Sequence, residues 1–451
     1  MSVRSLSNPR GRRLLAAGAF SLTVFFAAGA FAQDGARVGP APDHHNVQCA
    51  PDNGGITLPT GFCAAVVADQ VGRARHIVAT PNGSLYVALA DAPNGGPLGG
   101  VLALRDNDGD GDADVMQRFG DKGGNGIAYG FGQLFFAQND RLLRYTLPPW
   151  RFLPIGGPRT VVSGLPADGD HVNKTVVLGG FGGDLGTLFL NIGSASNACQ
   201  VENRVPGSPG IDPCPELPVR AGVWQFFAFR TNQTQQDGRR FVKGTRNMVA
   251  LDINPRNGRL YGVQNGRDQL HELWPNIFTA EQDLVLPSEE LFRLDRNADY
   301  GWPYCFHDPD HGKVLAPEYG GDGTTSGRCA SVREPLAVFP AHWAPLSMLF
   351  YTGRQFPARY RRGAFVAFHG SRFDPVNQPD GPGYVVAFVP FENGVPSGPF
   401  EIFADGFAGT PTPTPETALH RAVGLAQGPD GSLYVTDDKG GRIWRVVYPG
   451  N

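Results

Sequence analysis

Short apolar and aromatic runs recur along the chain, each opened by a turn that contains glycine. Pro81-Asn82-Gly83-Ser84-Leu85-Tyr86-Val87-Ala88 is the first and Gly132-Gln133-Leu134-Phe135-Phe136-Ala137 the second. Gly186-Thr187-Leu188-Phe189-Leu190 and Asn257-Gly258-Arg259-Leu260-Tyr261-Gly262-Val263 follow. Gly363-Ala364-Phe365-Val366-Ala367-Phe368 and Pro429-Asp430-Gly431-Ser432-Leu433-Tyr434-Val435 complete the series. Glycine and asparagine supply tight reversals, and the β-branched and aromatic residues behind them favour strands. Several phrases lead to a further strand ending at or near a basic residue, as in Val101–Arg105, Leu142–Tyr145 and Arg442–Val447. The pattern predicts an all-β chain. Six such units at uneven spacing suggest a six-bladed β-propeller with long loop insertions. A β-sandwich is the other all-β reading, but it gives no reason for one phrase to return six times. Residues 56–451 read as a single propeller domain with no linker inside it; Pro411-Thr412-Pro413-Thr414-Pro415 is a stiff surface loop.

Composition narrows this reading. Of 451 residues, 61 are Gly and 39 are Pro, yet 41% are hydrophobic, enough to fill a core, so general disorder is excluded. A formal charge of −3 argues against a nucleic-acid binder. Residues 1–32 carry a different signal. Arg4, Arg10, Arg12 and Arg13 precede the apolar run from Leu14 to Gly29, and Ala30-Phe31-Ala32 has a small-x-small cleavage pattern. This reads as a cleaved export signal, with a retained membrane anchor as the other possibility and residues 33–55 as an N-terminal arm. No later segment is apolar enough to span a bilayer. The expected location is periplasmic or secreted, with 35 basic and 42 acidic residues left after cleavage. Such a compartment oxidises thiols. The order of the six cysteines suggests three local loops, Cys49–Cys63, Cys199–Cys214 and Cys305–Cys329. No zinc-like spacing or haem-attachment motif is present.

Propellers place small-molecule sites where loops from several blades converge on the central channel. Four polar clusters qualify. Asp168-Gly169-Asp170-His171 offers an imidazole that can take a proton from a hydroxyl. Gly244-Thr245-Arg246-Asn247 offers a guanidinium fork beside an amide. Asn265-Gly266-Arg267-Asp268 combines exposed carbonyls with a carboxylate, suited to a hard cation such as calcium. Asn297-Ala298-Asp299-Tyr300-Gly301-Trp302-Pro303-Tyr304-Cys305 is either a stacking wall or core packing beside a disulfide. Taken alone, the first three phrases are also ordinary polar turns. Separately, Asp106 to Asp114 alternates carboxylates with two glycines, as calcium-wrapping loops do, but no Glu closes it; a solvated acidic turn is an equal reading.

The clusters, in this order, resemble the soluble glucose/sorbosone dehydrogenase family, and its sorbosone dehydrogenase-like branch in particular. The phrases that carry the resemblance include Leu58-Pro59-Thr60-Gly61-Phe62, Gly169-Asp170-His171, Arg246-Asn247, Gly266-Arg267-Asp268, Tyr300-Gly301-Trp302-Pro303 and Arg421-Ala422-Val423-Gly424. It implies an exported six-bladed quinoprotein using pyrroloquinoline quinone (PQQ) and calcium. Residue by residue, it implies His171 as general base and Arg246 as stabiliser of charge developing on the quinone. It further implies Asn247, Asn265, Arg372 and Arg421 as cofactor-binding residues and Gly266, Arg267 and Asp268 as the metal site. Two departures stand out. Family members usually carry Gly-Ser-Trp-Asn-Arg where this chain has His369-Gly370-Ser371-Arg372, and Arg-Thr where it has Lys174-Thr175. The segment after Cys199, out to Arg220, is also long and Pro-rich.

The preferred functional reading is oxidation of a C–OH of an aldose, aldosone or related polyol, with electrons leaving to an external acceptor. The alternative is a non-catalytic extracellular propeller that binds a glycan or a protein. A calcium-dependent lactonase-type hydrolase fits poorly, because the channel candidates are mostly basic.

Overall fold

The computed structural model describes residues 46–179, 186–372 and 377–449. The expected export signal and the start of the arm, residues 33–45, lie outside the described residues. The described residues form six antiparallel blades around a central channel. From the channel outward, blade 1 is Ala74–Ala79, Leu85–Leu89, Gly100–Arg105 and Val115–Phe119. Blade 2 is Gly124–Gly130, Gln133–Gln138, Arg141–Thr146 and Ile155–Ser163. Blade 3 is Val176–Leu178, Thr187–Ile192, Gly222–Phe227 and Arg239–Lys243. Blade 4 is Ala250–Asn254, Arg259–Gln264, Glu289–Leu294 and Ala337–Phe339. Blade 5 is Pro345–Phe350, Gly363–Phe368, Val386–Glu392 and Glu401–Ala404. Blade 6 takes Ala422–Gln427, Leu433–Asp437 and Ile443–Val447 from the chain's end and Cys63–Ala68 from its beginning.

Each recurrent phrase of the sequence is the second strand of a blade. Those strands lie between two neighbouring blades and are buried on both faces, so they read as unbroken apolar runs: Leu85–Leu89 and Gly363–Phe368 are buried throughout. Outermost strands face water, and Val115–Phe119 is largely exposed. The turn before the second strand has a common construction. In blade 1, Gly83 takes φ 83° while Asn82 Oδ1 accepts from the Ser84 amide at 2.9 Å. In blade 6, Gly431 takes φ 93° while Asp430 Oδ1 accepts from the Ser432 amide at 3.1 Å. Side-chain turn closure of this kind explains Asn or Asp before Gly. The basic residue on the third strand ties back to the same turn. Arg105 donates to the Asn82 carbonyl at 2.6 Å, and Arg445 pairs with Asp430 at 3.0 Å.

The ring closes where Cys63–Ala68 pairs antiparallel with Ile443–Val447. Phe62 leads into that strand by packing edge-on against Phe356, Tyr360 and Phe403 of blade 5, with centroids 4.8 to 5.5 Å apart. Trp444 is wholly buried, and its indole N–H donates to the Gly54 carbonyl at 3.0 Å. The described part of the arm is pinned there too, since the Gln48 amide donates to the Asp110 carbonyl at 2.6 Å. The disulfides are Cys49–Cys63, Cys199–Cys214 and Cys305–Cys329, the three local loops expected from the sequence. They fit an oxidising compartment. Among the described residues, no helix is long and apolar enough to cross a membrane.

Blade 4 carries the largest insertions. Residues 265–288 hold two short helices, Leu270–Leu273 and Ala280–Val285, and residues 295–336 hold the hairpin Cys305–Asp308 and Gly312–Leu315. In the acidic loop, Asp106, Asp108 and Asp114 bring carboxylate oxygens within 4.8 Å of one another, and Asp106 also pairs with Arg445 at 3.1 Å. If ring closure depends on the Trp444 anchor, Trp444→Ala should destabilise the fold by about 3–5 kcal/mol. Denaturant unfolding of the purified protein reads this directly. An unchanged midpoint would place the closure energy elsewhere.

Candidate active site

All six inner strands run in the same direction along the channel, so the loops that precede them gather at one mouth. Those loops, with the loops that follow the second strands, enclose a cavity of about 490 Å³. His171 precedes the inner strand of blade 3, Asn247 that of blade 4, Ala344 that of blade 5 and Arg421 that of blade 6. Asn265 and Gly266 follow the second strand of blade 4, and His369 and Gly370 that of blade 5. Eight of the nine sequence-selected site residues therefore line one space: His171, Arg246, Asn247, Asn265, Gly266, Asp268, Arg372 and Arg421. The side chain of the ninth, Arg267, turns instead into a buried ion pair with Glu318, with nitrogens 2.5 and 2.7 Å from its oxygens. The Trp274 indole N–H donates to the same carboxylate at 2.9 Å. The opposite mouth, a cavity of about 470 Å³, is lined by the inner strands themselves.

The geometry of His171 fixes its tautomer. Nδ1 lies 3.0 Å from the Ser194 carbonyl oxygen and 2.9 Å from Ser194 Oγ. A carbonyl only accepts, so Nδ1 carries the hydrogen and Nε2 keeps its lone pair. The backbone beneath is tight. Gly169 has φ 83° and sits against Ala195, whose carbonyl accepts from the Asp170 amide at 2.8 Å; a Cβ on Gly169 would fall 2.5 Å from that oxygen. Lys174 is buried and donates to the carbonyls of Pro166 and Val172 at 2.8 and 2.6 Å, closing the loop around His171. Burial first, and then the Arg246 charge, push His171 down to about 3, so the imidazole is neutral at physiological pH.

Asp268 is the electrostatic centre. Its Oδ2 accepts from Arg246 at 3.1 Å, Arg204 at 3.1 Å and Arg372 at 2.5 Å. Burial alone raises a carboxyl, but the charges of Arg246, Arg372 and Arg204 overcome it and hold Asp268 well below the usual range. Arg246 is locked in turn: it donates to the Asn197 carbonyl at 3.1 Å, Asn197 Oδ1 at 2.9 Å and the Gly266 carbonyl at 2.6 Å. Arg421 donates to two neutral carbonyls, His369 and Gly370, each at 2.9 Å, and stands 5.4 Å from the Tyr384 ring. Among the described residues, Asn247 Oδ1 is buried without a hydrogen-bond partner.

Several lining residues escaped the sequence reading. Glu289 accepts from the Gly266 amide at 2.6 Å and the Ala344 amide at 3.0 Å, and burial pushes it up to about 8. His369 Nε2 lies 2.7 Å from Asp438, which Arg75 also contacts. His342 lines the cavity as well. A signal for the first existed: Ser288-Glu289-Glu290 opens a strand buried on both faces, where acids need a special reason.

Comparison with known proteins bears on the fold and the family. An uncharacterised protein of Borreliella burgdorferi is 30% identical over 208 residues, 46% of this chain and 48% of that one. A pyrroloquinoline quinone-dependent sugar dehydrogenase of Hypocrea jecorina is 26% identical over 309 residues, 63% of this chain and 64% of that one. The chain thus spans between about half and just under two thirds of these curated relatives. Among solved structures, a calcium structure of the Trichoderma reesei Carbohydrate-Active Enzymes Family AA12 protein superposes with a TM-score of 0.70 at 21% identity. It covers 89% of this chain and 98% of that one. The holo PQQ domain of pyranose dehydrogenase from Coprinopsis cinerea gives 0.69 at 20% identity, covering 91% and 100%. These two likenesses bear on the fold. The profile of the TrAA12-like family matches residues 56–449, nearly the whole described propeller, and the chain belongs to that family.

Proposed function

We propose that this propeller is an exported, periplasmic or secreted PQQ-dependent oxidoreductase that oxidises a C–OH of an aldose, aldosone or related polyol. The observation that carries this reading is the convergence, in one cavity, of a neutral imidazole whose Nδ1 is anchored on Ser194 and guanidiniums from separate blades. The Hypocrea jecorina relative and the Coprinopsis cinerea domain, both named for PQQ, support it.

PQQ is a tricarboxylate, and the cavity suits such an anion. Arg421 presents a cation whose present partners are neutral carbonyls, and Arg372 adds a second at the rim. The orphaned Asn247 oxygen requires a donor, which a ring N–H or hydroxyl supplies. Asn265 is steadied by donating to the Pro345 carbonyl at 2.8 Å. Calcium fits only jointly. The Arg267 carbonyl is a hard donor, but the Gly266 carbonyl already accepts from Arg246 at 2.6 Å and Asp268 is committed to three guanidiniums. The negative charge a divalent ion requires must then come from the anionic cofactor.

When bound, PQQ supplies an ortho-quinone able to accept a hydride. The protein's share of the chemistry is proton transfer and charge placement. His171 Nε2 takes the substrate hydroxyl proton as the C–H bond is broken, while Nδ1–H stays on the Ser194 carbonyl and fixes the ring plane. Arg246, held on three sides, keeps its positive charge in place without reorganisation. Electrons then leave to an external acceptor.

Titrating the apoprotein with PQQ, with and without calcium, should show saturable absorbance changes and tighter binding with calcium. Failure of folded protein to bind PQQ under either condition would sink the reading. His171→Ala should lower turnover of a sugar with an artificial dye acceptor by roughly 10²–10⁴-fold while PQQ still binds. Arg421→Ala should weaken PQQ binding by about tenfold or more; unchanged affinity would remove it from the cofactor site. The folded His171 value lies below the ordinary one of about 6.5. Its contribution to stability is therefore full above that pH and is lost as pH falls toward about 3. Histidine-labelled NMR of the apoprotein at pH 5 should find this ring neutral, and a charged ring would contradict the proposed burial.

A further inference from the structure

The segment between Cys199 and Arg220 has no strand in any blade; a disulfide ties Cys199 to Cys214, and Glu216 and Arg220 follow just beyond that closed loop. Its apolar side chains do not explain it. Val201 is 62% exposed and Val219 47% exposed. Three of its charged side chains, by contrast, reach the two loops that carry His171 and its anchor. Arg204 donates to Asp170, next to His171, at 2.9 Å and to Asp268 at 3.1 Å, with its third arm on Gln269 at 2.6 Å. Arg220 is buried; it pairs with the Asp168 carboxylate and donates to the Asp168 carbonyl at 2.8 Å. Glu216 holds the other loop: one oxygen accepts from the Ala195 amide at 2.5 Å and the other from the Ser196 hydroxyl. Ala195 in turn receives the Asp170 amide, and Ser194 receives His171 Nδ1.

We propose that this excursion, stapled at Cys199–Cys214, is a clamp on the base: Arg204 inside the staple and Glu216 and Arg220 just beyond it are positioning residues that fix His171 by gripping both loops. The inference rests on the reading of His171 as the proton acceptor. None of the three needs to touch substrate. Arg204 and Arg220 bracket His171 on its own loop, through Asp170 and Asp168, and Glu216 sets the height of the Ser194 loop that orients the ring. Loosening any of them shifts the imbalance of charges around the ring, in which Arg246 opposes protonation while Asp268 and Asp170 favour it. It also opens the pocket to water. A displacement of about 1 Å at a proton acceptor can cost on the order of a hundredfold in rate.

The test uses the full chain with Glu216→Gln and Arg204→Gln, and Val201→Ser as a surface control. Melting temperature checks folding, and the Arg204 variant carries the test if the Glu216 variant does not fold. Each clamp variant should lower kcat about tenfold or more, with KM within about twofold of the parent. In the apoprotein, each should move the His171 titration, followed by histidine NMR, upward toward its ordinary value of about 6.5. Val201→Ser should change neither. A raised KM with intact kcat would make the excursion a substrate wall and overturn the clamp. So would a His171 titration identical to the parent's in both clamp variants. The NMR arm needs neither cofactor nor turnover, so it decides the clamp even if the parent protein fails to bind PQQ.

Discussion

Six wedge-shaped sheets enclose a channel only if the last meets the first, and here that requirement falls on one antiparallel pairing, Cys63–Ala68 against Ile443–Val447. Without it, blade 6 ends in an open edge and blade 1 loses a neighbour for its buried face. The strand is aimed by Phe62 in the aromatic cluster of blade 5 and backed by Trp444 beneath Gly54. Everything at the channel mouth inherits its position from this closure. His171, Asn247 and Arg421 belong to three blades, and none reaches the others through local structure.

Within that frame the site is organised by charge rather than by apolar packing. One carboxylate, Asp268, gathers Arg204, Arg246 and Arg372, which come from an insertion, a blade 3-to-4 loop and a blade 5 loop. A single buried acid thereby holds three cations close together, an arrangement that would repel itself in the carboxylate's absence. The surplus of guanidiniums suits an anionic guest. Glu289, pushed toward its neutral form by burial, does not cancel that surplus.

Much of the fold was legible because a propeller repeats itself. Each second strand is buried on both faces and follows a tight reversal, so burial wrote a similar phrase six times. The cavity was legible where loops begin inner strands: His171, Asn247 and Arg421 each stand just ahead of one. What stayed hidden depends on contacts between distant segments. Nothing in the phrase Gly266-Arg267-Asp268 tells that the middle side chain turns away to Glu318, about fifty residues on, while its neighbours line the cavity. His369 is read as a departure from a pattern until Asp438, from another blade, is seen 2.7 Å away. The contacts of the segment after Cys199 were equally invisible, because its partners Asp168 and Asp170 precede it by a whole hairpin.

The three disulfides join residues only 14, 15 and 24 positions apart, whereas the closing strands come from opposite ends of the chain. This separation sets an order of assembly. Each covalent loop can form as soon as its own short stretch has emerged, at small entropic cost. The ring must wait for the last strands, and contacts of such long sequence separation form slowly. A chain exported from its amino end would carry the Cys199–Cys214 loop already tied while blades 4 to 6 were still arriving. The covalent loop that carries Arg204 would then exist as a prefabricated part, ready before the cavity beside it has walls.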